Sequence, residues 1–177
     1  MTLLESVAID LRRLHDGLDR SLDGLTEDQL HAVPAGHPAA NTIAWNVWHY
    51  TRTEDNVVRF VLQNRRPTVW VEGSYPERLG LHPAAQGTGM STEEAQALRI
   101  KDVALFAAYM KAVWASTEAY VQGLSPAELE RKVALKFVGE MPLVRVLAQV
   151  GVTHGFTHLG EISLARTLVG APPLSGG

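Results

Sequence analysis

The chain has no cysteine among its 177 residues. A disulfide framework, a thiolate metal site and a cysteine nucleophile are therefore excluded, and any metal must be held by imidazole or carboxylate. Long apolar runs are also missing: none approaches the roughly 18 residues of a membrane span. The first eleven residues place Glu5 and Asp10 among their apolar positions and carry neither a basic leader nor a small-residue cleavage site, so they do not read as a signal peptide. Positive charge is scattered and the net charge is -3, which leaves no electrostatic footprint for nucleic acid. A cytoplasmic protein is expected, with neither nucleic acid nor membrane as partner. The length suits a single domain over 1–177, which can bury roughly 70% of its unfolded surface without staples.

The apolar positions that are present recur at helical spacing. Leu4, Val7, Leu11, Leu14, Leu18, Leu22 and Leu25 form one seam along a first helix that stops near Gly24. Thr26 and Gln29 form a capping-box signature for a short helical turn, and Pro34, Gly36 and Pro38 then break the chain. Asn41 is the expected N-cap of a second long helix, from about Thr42 to Asn64. Between Arg65 and Met90 the pattern disappears, and so long a connection reads as a crossover able to cover a site. Ser91 and Glu94 cap a third helix expected to reach Gln122, with Gly123 as its C-cap. Lys132 to Val138 alternates as a short extended segment, and Pro142 suits the first turn of a fourth helix ending near Val169. The fold expected is all-α, a four-helix bundle with a long crossover between its second and third helices. The echo of Gly24-Leu25-Thr26 in Gly123-Leu124-Ser125 is best read as ordinary helix-stop and capping grammar.

His154 and His158 lie four residues apart, which on a helix puts both imidazoles on one face within reach of one ion at about 2.1 Å. The zinc-protease pattern is excluded, because Gly155 stands where its general base would be. At about 100° per residue, Leu143, Leu147, Val150, His154, His158, Glu161 and Ala165 share one sector, so the pair points inward. Buried imidazoles need partners, since each unsatisfied polar group costs on the order of 1 to 3 kcal/mol. On the second helix Thr42, Trp45, His49, Thr53, Asn56 and Phe60 fall together, making His49 the best third ligand. His15, His31, His37 and His82 are read as exposed spectators.

These residues also carry a resemblance. The run Asn41-Thr42-Ile43-Ala44-Trp45-Asn46-Val47-Trp48-His49-Tyr50-Thr51-Arg52-Thr53-Glu54-Asp55 resembles the second-helix signature of the DinB/YfiT-like superfamily, and His154-x-x-x-His158-x-Gly160-Glu161-Ile162 resembles its fourth-helix signature. Tyr75 to Leu81 and Gly87 to Met90 look like the crossover of one branch of it. The resemblance implies a four-helix bundle with a three-histidine divalent site, often in a homodimer. Its known members include bacillithiol transferases and mycothiol-dependent maleylpyruvate isomerases. Carried over, the ligands would be His49, His154 and His158; Glu161 stands where the family usually has glutamine.

Three neutral imidazoles leave at least one coordination position open, as in catalytic sites. The metal, zinc or nickel foremost, could lower the pKa of bound water toward about 7 for hydrolysis, or bind a low-molecular-weight thiol as thiolate. Glu161 could serve as general base, as a further ligand, as the carboxylate orienting an imidazole, or in a surface ion pair. Arg52 and Trp45 are the candidate contacts for a small-molecule substrate. For Arg52 and Arg59, pairing with helix carboxylates is the favoured reading, and Glu54 and Asp55 are assigned to structural pairing. Trp45, Trp48, Trp70 and Trp114 read as core sooner than as pocket walls. Against a metal-dependent enzyme stand a non-catalytic dimeric bundle with structural metal or core histidines, and a small-ligand stress-response module.

Overall fold

Capping chemistry sets where the helices begin. The computed structural model describes residues 1–136 and 138–174. Thr2 and Glu5 cap each other's backbone at the start of α1, Leu3–Arg20, and Thr26 with Gln29 does the same for the short α2, Glu27–His31. The next helix, α3, runs Ile43–Asp55 and starts on Thr42, whose hydroxyl accepts the Trp45 N–H at 3.1 Å; the expected cap, Asn41, stands one residue outside. It continues without interruption into a π-helical turn, Asn56–Val61.

The crossover is more ordered than its composition implies. It contains α4, Val69–Glu72, and α5, Tyr75–Leu79. Asp55, at the end of α3, explains the first: its two carboxylate oxygens accept the N–H groups of Val69 and Trp70 at 2.9 Å each, donors that a helix start cannot satisfy by itself. The third long helix also differs from expectation. It is divided into α6, Thr92–Ala97, and α7, Val103–Gln122, with Asp102 capping the latter. Between them the chain dips so that Ile100 is fully buried, and His31 Nε2 accepts the freed Ile100 N–H at 3.0 Å. His31 is thus a half-buried structural residue and not an exposed spectator.

Ser125 and Glu128 cap α8, Pro126–Leu129, repeating the chemistry of Thr26 and Gln29; Leu30 and Leu129 are the residues each short helix buries. Strands β1, Lys132–Leu135, and β2, Gly139–Pro142, pair antiparallel with Val133 opposite Met141. The extended segment expected over Lys132 to Val138 is thus one arm of a hairpin whose return strand was not anticipated; within it Phe137 lies outside the described residues. The last rod is continuous: α9, Leu143–Val146, a π-helical turn, Leu147–Thr153, and α10, His154–Leu168.

The structure is therefore mostly helical, with one small hairpin. α3 packs on both α7 and α10, and α1 packs on α7 and on the rod that ends in α10, so the long helices enclose a common interior. Trp48, Tyr50, Trp70, Phe106 and Tyr109 fill one part of it, and Leu11, Leu62, Leu143 and Val146 a second. Gly155 is required where α10 meets its neighbours. A Cβ there would stand 2.2 Å from Leu14 Cδ2 and 2.7 Å from Tyr50 Cε2.

His15 overturns its expected place. It is buried, stacked on Trp114 with ring centroids 4.3 Å apart, and sits 3.2 Å from Glu54 and 2.9 Å from Glu118. Its partners come from α3 and α7, so no count along α1 alone reveals them. Burial alone would lower its pKa, but Glu54 and Glu118 outweigh burial and raise it above the ordinary 6.5. Burial alone would raise Glu54, which His15 and the Thr117 and Tyr50 hydroxyls hold below its ordinary 4.5.

Breaking this pair should be costly. His15→Leu strands the Glu54 charge and is expected to lower unfolding free energy in urea by about 3 to 5 kcal/mol. The contribution of His15 is complete below its unfolded pKa of 6.5 and is lost as pH rises through its higher folded value. That of Glu54 is complete above 4.5 and is lost as pH falls through its lower folded value. The stability gap between wild type and His15→Leu should therefore be widest between these two values and narrow toward alkaline pH. A gap that stays constant on the alkaline side would contradict the pairing.

Candidate metal centre

The interior between α3 and α10 receives three imidazoles. His49 comes from the middle of α3, while His154 and His158 occupy the first turns of α10, directly after the π-helical turn. One nitrogen of each ring lies within 4.8 Å of the others, a grouping that could hold a metal ion. The rings meet edge to face: His49 and His154 centroids are 5.4 Å apart, His49 and His158 5.1 Å, and His154 and His158 4.6 Å. The Nε2 atoms of His154 and His158 face each other at 3.0 Å.

The outer nitrogens decide what the inner ones can do. His49 Nδ1 donates to the Gln86 carbonyl, which leaves its Nε2 as a lone pair. His158 Nδ1 lies 2.9 Å from the Glu161 carboxylate and 3.0 Å from Asn46 Oδ1, both acceptors in this arrangement, so its proton also sits on Nδ1 and its lone pair on Nε2. His154 Nδ1 is buried without a well-formed hydrogen bond, although the Val150 carbonyl one turn back favours its protonated form weakly. Burial and the neighbouring His158 and His49 rings depress His154 to about 4. Burial likewise lowers His49, against the pull of the Gln86 carbonyl. At neutral pH both are uncharged, the form in which imidazole binds metals. Glu161 is held below the ordinary carboxylate range chiefly by its hydrogen bond with His158. Neutral nitrogen donors, two of them with oriented outer protons, are a set that fits a divalent metal ion.

The crossover reaches this centre through one glycine. Gly87 has φ +93°, a left-handed conformation, and a Cβ on it would stand 2.5 Å from His49 Nδ1. Only glycine lets the Gln86 carbonyl approach the ring.

Of the residues singled out in the sequence, His49, His154, His158, Trp45 and Glu161 come together. Trp45 stacks on His49 with centroids 4.6 Å apart and meets His158 edge-on at 6.1 Å. Glu161 lies outside the three-nitrogen cluster and meets it at His158, whose Nδ1 is 2.9 Å from the carboxylate. Arg52 is not brought to the centre: it is buried, donates to Asp55, Tyr109 and the Ala85 carbonyl, and lies 4.7 Å over the Trp70 ring. Arg59 pairs with Glu72 on α4. Glu54 and Asp55 are buried structural partners, and Trp48, Trp70 and Trp114 are core. Sequence reasoning missed Asn46 and the Gln86 carbonyl. Asn46 lies one turn before His49 and could have been found as a polar residue beside it on the same helix; a backbone carbonyl carries no signal.

The family model described as the DinB superfamily matches residues 10–162. No curated protein matches the chain significantly in sequence. Among solved structures, the chain is similar to a conserved protein from Enterococcus faecalis at 20% identity, with a TM-score of 0.80, over 96% of this chain and 98% of that one. At that identity the likeness speaks for the fold.

The close approach at Gly87 yields a discriminating substitution. Gly87→Ala forces the His49 ring aside and should weaken zinc uptake at least about tenfold, the scale on which outer partners of metal ligands act. Gly89→Ala meets a comparable φ of +82° but nothing within 4 Å, so it should weaken uptake far less. Competition with a chromogenic chelator measures both, and equal effects would show that backbone strain, not the ring contact, is responsible.

Proposed function

The chain belongs to the DinB superfamily, and from that premise we propose that it is a single-domain four-helix bundle holding one divalent ion, zinc or nickel, on Nε2 of His49, His154 and His158. We assign it metal-dependent chemistry on a small molecule, either hydrolysis or transfer involving a low-molecular-weight thiol. The observation that carries this reading is the convergence of three imidazoles, two of which have their outer nitrogens already committed, His49 to the Gln86 carbonyl and His158 to Glu161 and Asn46. An ion bound there supplies Lewis acidity, lowering the pKa of a water or a thiol.

The remaining work falls to the chain's own groups. Glu161 keeps the His158 proton on Nδ1 and raises the basicity of Nε2. Trp45 walls the centre and fixes the plane of His49. Glu161 is half-exposed, so the same carboxylate can also exchange a proton with solvent. Arg52 is assigned to the crossover and not to substrate. One observation favours a second reading, in which the histidines are a metal-free core network: the 3.0 Å contact between His154 and His158 suits a single N–H···N bond. That reading requires no metal and no open position.

The two separate cleanly. Purified protein should contain one equivalent of metal by elemental analysis, and His49→Ala should lose it. Glu161→Ala should keep the fold, because the residue is half-exposed, while weakening metal affinity roughly 10- to 100-fold. Absence of stoichiometric metal, with no uptake when zinc is supplied and a melting temperature that still falls in His49→Ala, would sink the proposal in favour of the core network. A panel of ester, amide and thiol-acceptor substrates with the metal-loaded protein then chooses between hydrolysis and thiol transfer.

A further inference from the structure

Two cavities share His49 and Thr88 as walls. One, of about 370 Å³, is bounded by polar groups that include Asn41, Ser91 and Thr92. The other, of about 590 Å³, is lined by Val57, Phe60, Val61, Leu135, Val138 and Val150, and both His49 and His154 open onto it. Its apolar walls come from three places: the π-helical turn that ends α3, the β1–β2 hairpin, and the π-helical turn that precedes α10. Phe60 and Val138 are 43% and 47% exposed, so large apolar groups stand uncovered at this site. Among the described residues that line it, none is acidic.

From this asymmetry we infer that the larger cavity takes the apolar body of the substrate, a medium-chain acyl or aryl group, with one polar head directed at the three histidines. The inference rests on the reading of the centre as a metal site and adds the substrate class. The volume falls within the roughly 300 to 1,000 Å³ of small-molecule sites. A cationic body would lose hydration in the cavity without a counter-carboxylate, whereas methylenes gain by leaving water. The mouth formed by Phe60 and Val138 is what such a body would cover.

Alkyl hydroxamates test this directly, because they couple a metal-seeking head to a tail of chosen length. On the zinc-loaded full chain, calorimetry should find octanohydroxamate at least about 30-fold tighter than acetohydroxamate, a fraction of what complete burial of the added methylenes would give. Val61→Trp fills the cavity and should abolish this preference while zinc content and acetohydroxamate binding persist. Phe60→Ser, at a half-exposed position that the core does not need, should reduce the preference and serves if Val61→Trp fails to fold. Equal affinities of the two hydroxamates on a zinc-loaded chain, or a preference untouched by either substitution, would overturn this inference alone. Failure of the wild-type chain to take up zinc or bind either hydroxamate would overturn the metal reading and this inference with it.

Discussion

Imidazoles packed into one corner keep their lone pairs inward where their outer nitrogens carry protons and find acceptors, and at two of the three rings this condition organises the region around them. At His49 the acceptor is a backbone carbonyl from the crossover; at His158 it is the Glu161 carboxylate with Asn46 beside it. Each unmet polar atom in such a place costs on the order of 1 to 3 kcal/mol. The condition reaches outward. Gly155 must lack a side chain for α10 to approach α1 and α3, and Gly87 must be left-handed for the crossover to deliver Gln86.

The helix that carries His49 also carries the anchors of the segment that orients it. Arg52 donates to the Ala85 carbonyl at 3.2 Å, one residue before Gln86, and is itself held by Asp55 and Tyr109. Asp55 in turn receives the first N–H groups of α4. Burial pushes Asp55 up, while those N–H groups and the Arg52 guanidinium pull the other way. Residues 49, 52 and 55 thus form one ladder on α3, and each rung fixes a different part of the crossover. A guanidinium so engaged has a structural task, which is why its reading as a substrate clamp loses to pairing with a helix carboxylate.

What could be read from the amino-acid order is what has local period. The leucine seam of α1, the capping boxes at Thr26 and Ser91 and the four-residue spacing of His154 and His158 are relations within one helix, and all four appear in the structure. His49 could be placed because it shares an inward face with Trp45 inside a distinctive run. Relations between helices were not readable. His15 is buried because Glu54, Trp114 and Glu118 converge from two other elements, and the break before α7 exists because His31, far earlier in the chain, can satisfy the Ile100 N–H.

The π-helical turns show most clearly where a count of 3.6 residues fails. Such a turn bonds each N–H to the carbonyl five residues back, and the Thr153 hydroxyl follows the same offset to the Ala148 carbonyl at 3.0 Å. Counting at about 100° per residue places His154 on the same stripe as Leu147, deep in the core. The wider turn between them changes the outcome: Leu147 is buried, whereas His154 is only partly so and faces the apolar cavity as well as its two partner rings. The matching turn after Asp55 sends Val57, Phe60 and Val61 to the opposite wall of that cavity. Two local departures from α-helical geometry, in elements far apart in the chain, therefore flank an imidazole that is sheltered on one side and accessible on the other.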